Sequence, residues 1–404
     1  MVFAHFIVGN TRSFTVSDWA QDIALAASKG IDAFALNVGR DDYEASKVAD
    51  AFTAAADTGF KLFLSFDMTS LPCSGAGDAT TLRNYILNYD THPSQLKYNG
   101  KSLVSTFGGE YCTFGTGNLN QGWMNAVKTG MPPIHFIPAF FIDPGAFEGM
   151  TVMDGAFNWN SGWPSGASDG NFDSDNNYVA HLEGRTYMAN FSPWFFTHYG
   201  ANSFNKNFIF RADDWHFSHR WELIIANRDV VGLVEAVTWN DFGESHYLGP
   251  RHGDQAGSEA WTNGYDHTDW LDLLSYYIEA YKTGIYPSIE KDRIFLWARL
   301  SPAAANAPDS VGKPNHWDWT QDYLWAVVLL TAPAQVQLSC GTTRNTYTVP
   351  AGLSRLQLPF SQSCSVQASV IRDDLTTLTL APNGFNFQTN PSSYNFNAFV
   401  AASP

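Results

Sequence analysis

Two carboxylates stand together in Trp239-Asn240-Asp241-Phe242-Gly243-Glu244-Ser245-His246-Tyr247, directly after the apolar run Val230–Trp239. A run of that length and composition reads as a strand buried on both faces of a parallel sheet, so the polar residues begin where the strand ends. Asp67 closes Ser65-Phe66-Asp67-Met68-Thr69 in the same manner. Carboxyl groups crowded into a partly dry pocket raise one another's pKa, which leaves one protonated and another ionised. That is a general acid beside a general base, the pair that cleavage of a glycosidic bond requires. A structural reading competes at each position. Asp241 and Glu244 fit a capping box, and Asp67 fits a cap for the segment that follows it. Acids delivered to one rim by separate strands favour chemistry.

Around these acids the sequence places groups suited to a neutral polar ligand. His5, Asn37 and Asn240 fall near strand ends, and His246 and Tyr247 follow the acid pair. Trp159 and Trp163 lie in a polar loop where core packing is least expected, so they are read as sugar platforms; Trp215 and Trp239 join them. Charged residues make up only 15% of the 404-residue chain and aromatics another 15%, against about 25% charged in ordinary globular chains. The net charge of −16 argues against nucleic acid, whose phosphates need clustered Lys and Arg, and against an anionic membrane as partners. No apolar run reaches membrane-spanning length. The chain is expected to work as a monomer.

Other chemistries find no support. Gly166-Ala-Ser168-Asp-Gly170 has the spacing of a nucleophile elbow but lacks the strand before it and the helix after it. In Asp169-Gly-Asn171-Phe-Asp173-Ser-Asp175, the sixth and twelfth positions of a calcium loop are Ser174 and Ala180. His216 and His219 have no third zinc ligand nearby, so ordinary hydrogen bonding rather than a metal site is expected there. The sequon at Asn190 precedes Pro193 and reads as inward-facing, so it is expected to stay unmodified.

The elements that must position the acids follow from periodicity. Val2–Val8, Ile31–Val38, Lys61–Asp67, Leu103–Phe107, Ile134–Phe141, Asp154–Trp159, Tyr187–Asn190 and Leu233–Trp239 read as strands. Helices alternate with them: one starts at Ser17 or Asp18 with an Asp18/Gln21 box, a second covers Glu44–Thr58, and Trp270–Thr283 is the last. Asn158–Asn177 reads as a long functional loop. Eight such strand–helix units make an α/β fold, a (β/α)8 TIM-type barrel over residues 1–285. A doubly wound open sheet is the alternative, but no Gly-x-Gly-x-x-Gly follows the first strand. After Tyr286-Pro287 short alternating strands follow (Ile294–Leu300, Tyr323–Thr331, Gln335–Cys340, Arg355–Phe360, Cys364–Ile371, Thr376–Leu380), predicting an antiparallel β-sandwich over residues 286–404. Cys73, Cys112, Cys340 and Cys364 are an even set without Cys-x-x-Cys, read as disulfide cysteines of an oxidising compartment. Met1 stands directly before the first strand, as though a leader had been removed.

Six motifs in order resemble the fungal α-1,3-glucanases, or mutanases, which form family 71 of the glycoside hydrolases. They are Ala4-His-Phe-Ile-Val-Gly-Asn-Thr11, Phe63-Leu-Ser-Phe-Asp-Met68, Phe107-Gly-Gly109, Asp154-Gly-Ala-Phe-Asn-Trp159, Tyr187-Met-Ala-Asn-Phe-Ser-Pro-Trp194 and Trp239-Asn-Asp-Phe-Gly-Glu-Ser245. The resemblance implies a barrel with an associated β-sandwich, secretion, no cofactor, and hydrolysis of α-1,3-glucan and its oligosaccharides with inversion. By motif it places the catalytic carboxylates on Asp241 and Glu244, with Asp67 as a further essential acid. A glycosidase of another glucan linkage and a non-catalytic polysaccharide-binding protein are the alternatives.

Overall fold

The apolar runs form one curled parallel sheet in a computed structural model that describes residues 1–164, 166–253, 255 and 257–404. Its strands are β1 (Val2–Ile7), β2 (Ala33–Val38), β3 (Lys61–Asp67), β4 (Lys101–Phe107), β5 (Ile134–Ala139), β6 (Gly155–Asn158), β7 (Thr186–Phe191) and β8 (Leu233–Ala236). Neighbours pair in the order β5-β4-β3-β2-β1-β8-β7-β6, all parallel, with Lys97–Tyr98 antiparallel to the start of β4. Parallel neighbours require a crossover, and helices supply several of them: Val16–Ser28, Glu44–Ala55, Ala79–Tyr89, Asp173–His181 and His216–Ala226. Beside β6, Asp154 donates its N–H to the Phe136 carbonyl of β5 at 2.9 Å, and its carboxylate accepts the Phe136 N–H at 2.8 Å.

Strand alternation decides which side chains point inward. Phe3, Ala33, Ala35, Phe63, Leu103, Ile137, Ala139, Phe157, Met188, Leu233 and Val237 form one buried cluster to which all eight strands contribute. Continuing each alternation toward the strand's C-terminal end gives His5 on β1, Asn37 on β2, Asp67 on β3 and Glu235 on β8. The opposite face carries Phe6 and Phe34, packed on Trp19 of the Val16–Ser28 helix and on Trp239. That helix starts one turn before its expected box. Thr15 is the N-cap; its N–H donates to the Asp18 carboxylate at 2.7 Å, and its hydroxyl accepts the Asp18 N–H. Within the expected loop Asn158–Asn177 the helix Asp173–His181 begins, with Asp173 and Asp175 in its first turn where the helix dipole favours them.

Two antiparallel sheets share a second core. One runs Gly352–Pro359, Tyr323–Leu330, Arg293–Ala298, Phe399–Ala402; the other runs Thr343–Val349, Ala334–Cys340, Cys364–Arg372, Leu375–Leu380, with Asn386–Phe387 also on Cys364–Arg372. Leu324, Ala326 and Val328 from the first meet Val336, Leu338 and Val370 from the second. By its contacts the chain divides into two compact units, 1–162, 171–191 and 223–241 in the first, and 163–170, 192–222 and 242–404 in the second.

The four cysteines form Cys73–Cys112 in the first unit and Cys340–Cys364 in the second, closing separations of 39 and 24 residues. Loop-closure entropy assigns about 4 kcal/mol to the longer and about 3.5 kcal/mol to the shorter. Cys73→Ser/Cys112→Ser is therefore expected to lower stability by about 2–4 kcal/mol in denaturant titration. An unchanged midpoint would show that the loops after β3 and β4 are held without it.

Candidate active site

The first unit brings its acids to the C-terminal end of the curled sheet. Asp67 ends β3 in register with Phe107 of β4. Its Oδ1 accepts from the Thr69 N–H at 3.0 Å and the Thr69 hydroxyl at 2.6 Å, so the capping role is real. Its other oxygen makes no hydrogen bond among the described residues. Glu44 stands nearby at the start of its helix, accepting from the Gly39 N–H at 2.6 Å. Burial holds the Glu44 carboxyl above its ordinary value, although the N–H groups of Gly39 and Asp41 lower it; the charges of Asp41 and Asp67 add to the rise. A β-carbon on Gly39 would stand 2.9 Å from the Ser70 hydroxyl and 3.1 Å from Glu44, so only glycine lets these groups close in.

Asp241 is positioned by its two neighbours. Asn240 mimics a strand partner for β1, accepting from the Ile7 N–H at 2.7 Å and donating to the Ile7 carbonyl at 2.9 Å. The Thr238 hydroxyl accepts the Asp241 N–H at 2.7 Å. Residues 242–245 make turns, and among the described residues no helix begins there. An aromatic wall completes this end. Trp159 lies 4.6 Å from Phe107 and 5.0 Å, edge-on, from His5. Below it, His5 Nδ1 is 2.7 Å from a Glu235 carboxylate oxygen, and both side chains are buried. The second Glu235 oxygen has no partner among the described residues. Burial raises the Glu235 carboxyl above its ordinary value, with His5 pulling it down. Asn37 adds an amide nitrogen that is buried and has no hydrogen-bond partner among the described residues.

In the second unit Glu244 accepts an N–H from Phe196 on its carbonyl at 3.0 Å, which ties its backbone in place. Its carboxylate meets Lys206 Nζ at 3.1 Å and His246 Nε2 at 3.5 Å. His246 is buried against the edge of Phe195, and Phe195 lies near Trp163, which stacks on Phe210 at 4.6 Å.

A model of glycosyl hydrolase family 71 matches residues 1–404 of this sequence. The chain belongs to glycosyl hydrolase family 71. It is 39% identical to a glucan endo-1,3-alpha-glucosidase of Schizosaccharomyces pombe, covering 99% of this chain and 94% of that protein. It is 32% identical to a mutanase of Penicillium rubens, covering 99% and 88%. An ascus wall endo-1,3-alpha-glucanase of Schizosaccharomyces pombe is 28% identical, covering 98% and 95%. Among solved structures a GH99 endo-alpha-mannosidase from Bacteroides thetaiotaomicron superposes with a TM-score of 0.54 at 12% identity, over 70% of this chain and 97% of that one, a likeness of fold.

For this family 71 hydrolase the structure brings His5, Asn37, Asp67, Trp159, Asn240 and Asp241 to one sheet end. Three expected sugar contacts, Asn240 among them, have their side chains committed to the protein itself. Trp239 is fully buried against Phe34 because β8 ends at Ala236 and its alternation does not carry on. Tyr247 stacks on His267 at 4.0 Å and spends its hydroxyl on the Tyr265 carbonyl and the Asn397 amide, so burial raises its pKa. Asn240 gives both side-chain groups to Ile7. Asn190, in the sequon, is fully buried. The sequence reading passed over Glu235 and Glu44 at that sheet end of the first unit, and Lys206 beside Glu244 in the second. For Glu235 a signal existed, a lone carboxylate inside Leu233-Val-Glu-Ala236. Among the described residues no helix is long and apolar enough to cross a membrane.

Proposed function

We propose that this chain is a secreted, monomeric endo-acting hydrolase that cleaves α-1,3-glucosidic linkages of α-1,3-glucan with inversion. The observation that carries the reading is the delivery of Asp67 and Asp241 by β3 and β8 to the C-terminal end of a single curled sheet, with Glu244 following in a non-helical turn segment. Catalytic residues of parallel barrels occupy that end. The strand order β5-β4-β3-β2-β1-β8-β7-β6 leaves at its two ends strands that are consecutive in the chain, and the inner cluster draws on all eight. Both support a closed barrel as the catalytic domain, residues 1–285, with residues 286–404 as its β-sandwich. The relatives' names supply the linkage and the endo mode.

In this mechanism Glu244 protonates the glycosidic oxygen as the bond breaks. Asp241 takes a proton from water attacking the opposite face of the sugar. The free oxygen of Asp67 and the unpartnered Asn37 amide hold sugar hydroxyls, and Trp159 offers its ring to a sugar face. NMR of the first product from α-1,3-glucan is expected to show the β-anomer, appearing within a ladder of oligosaccharides. An initial α-anomer would sink inversion, and release of sugar from another glucan but not from this one would sink the substrate assignment.

A further inference from the structure

The first antiparallel sheet carries a cavity that the hydrolytic reading does not use. Alternation sends Leu324, Ala326 and Val328 into the shared core, so Trp325 and Val327 project from the sheet's other face. Trp325 is in register with Gln357 and Val327 with Arg355, which puts an indole, an amide and a guanidinium side by side. Trp215 stands edge-on to Trp325, ring centroids 5.0 Å apart. Its indole N–H donates to the carbonyls of Ala326 and Leu356 at 3.2 and 3.3 Å, one on each of two adjacent strands, so its half-buried ring is held in a single orientation. Gln321 closes the rim, its own N–H fixed at 2.9 Å by the buried Asp213 carboxylate. These side chains, with Arg211, Asp214, His216 and His219, line a cavity of about 320 Å³, within the range of small-molecule pockets.

The polar lining specifies the ligand class. Arg211 is neutralised by Asp214 at 2.6 Å and Asp169 at 2.7 Å, and Arg355 by Glu222. Paired arginines leave no net charge to select an anion. The side-chain amides of Gln321 and Gln357 make no hydrogen bond among the described residues, and each offers a donor and an acceptor to the space beside Trp215. An indole face flanked by free amides and neutralised guanidinium groups matches a pyranose ring, apolar on its faces and rimmed with hydroxyls. We propose that this cavity is a second glucan-binding site, which holds the polymer while the carboxylate site cleaves it. The proposal rests on the α-1,3-glucanase reading, because it takes the same polymer as its ligand.

Gln321→Ala/Gln357→Ala removes both free amides, and Gln357→Trp fills the cavity by a different route. Each variant, built on Glu244→Gln so that digestion is slowed, is expected to adsorb to insoluble α-1,3-glucan about tenfold more weakly than Glu244→Gln alone, at an unchanged melting temperature. On an otherwise wild-type chain the same changes are expected to leave turnover of a short soluble α-1,3-linked oligosaccharide unaltered. If the wild-type chain cleaves the glucan while both variants adsorb as tightly as their parent, the second site is excluded and the hydrolytic reading stands. Loss of soluble turnover in parallel with adsorption would make the cavity part of the hydrolytic site and overturn a separate one. If the wild-type chain neither adsorbs to nor cleaves α-1,3-glucan, the hydrolytic reading itself fails, and this one with it.

Discussion

Glu244→Gln and Asp241→Asn are each expected to lower kcat on α-1,3-glucan by about 10²–10⁴-fold, the range for losing a positioned general acid or base. Both amides keep the size and most of the hydrogen bonding of the acids they replace. Neither side chain is part of the core, so stability should move by no more than about 0.5 kcal/mol. Activity lost without unfolding separates a chemical role from the capping role that the sequence pattern alone also permits. The pH profile then separates the two acids. A bell-shaped curve reports a base that must be ionised on its acidic limb and an acid that must be protonated on its alkaline limb. Glu244→Gln should flatten the alkaline limb of the residual rate and Asp241→Asn the acidic one. The reverse pattern would exchange their roles, and near wild-type turnover in either would remove that residue from the mechanism.

Most of the parallel strands were legible as apolar runs closed by Gly, Asn or Asp, whereas Leu103–Phe107, Asp154–Trp159 and Tyr187–Asn190 follow mainly from counting strand–helix units; Lys61–Asp67 and Trp270–Thr283 fall on the bounds their sequence suggests. The site was legible where an inward alternation continues to the strand end, as in Phe63-Leu-Ser65-Phe-Asp67. It failed at Trp239, where strand pairing stops at Ala236 and parity no longer predicts direction. Tyr247 failed for another reason: its partners His267 and Asn397 are distant in sequence, and nothing local announces that they bury its hydroxyl. Thr343–Val349 escaped notice as a strand because its outward residues are Thr, Arg and Asn, the composition of an exposed edge. Phe399–Ala402 is only 4 residues long and pairs with a strand about a hundred positions earlier. The helix within the expected loop is carried by its two N-terminal aspartates more than by any apolar stripe.

Glu235 shows how an apolar run can conceal a site residue, and it carries the largest expected effect on stability. His5→Leu would leave its carboxyl buried with neither oxygen in its present bond. Breaking a buried pair from one side costs about 3–5 kcal/mol, which for a unit of this size lowers the melting temperature by about 6–20 °C. The loss should depend on pH in a defined direction. A carboxyl raised by burial contributes fully below its unfolded value, near 4.5, and that contribution is lost as pH rises through the folded value. His5 lowers the Glu235 value, so without it the folded value climbs further and the deficit of His5→Leu should widen from acidic toward neutral pH. Glu235→Gln has no carboxyl to titrate, and its difference from the wild type should not widen in that way. His5→Leu/Glu235→Leu replaces both charged partners with apolar groups and should recover most of the stability. Even then Trp159 loses the imidazole edge 5.0 Å from its ring, so the double variant should show a raised KM for glucan beside a restored melting temperature. Equal melting temperatures for the single and double variants, flat with pH, would mean that the two side chains are neighbours without being coupled.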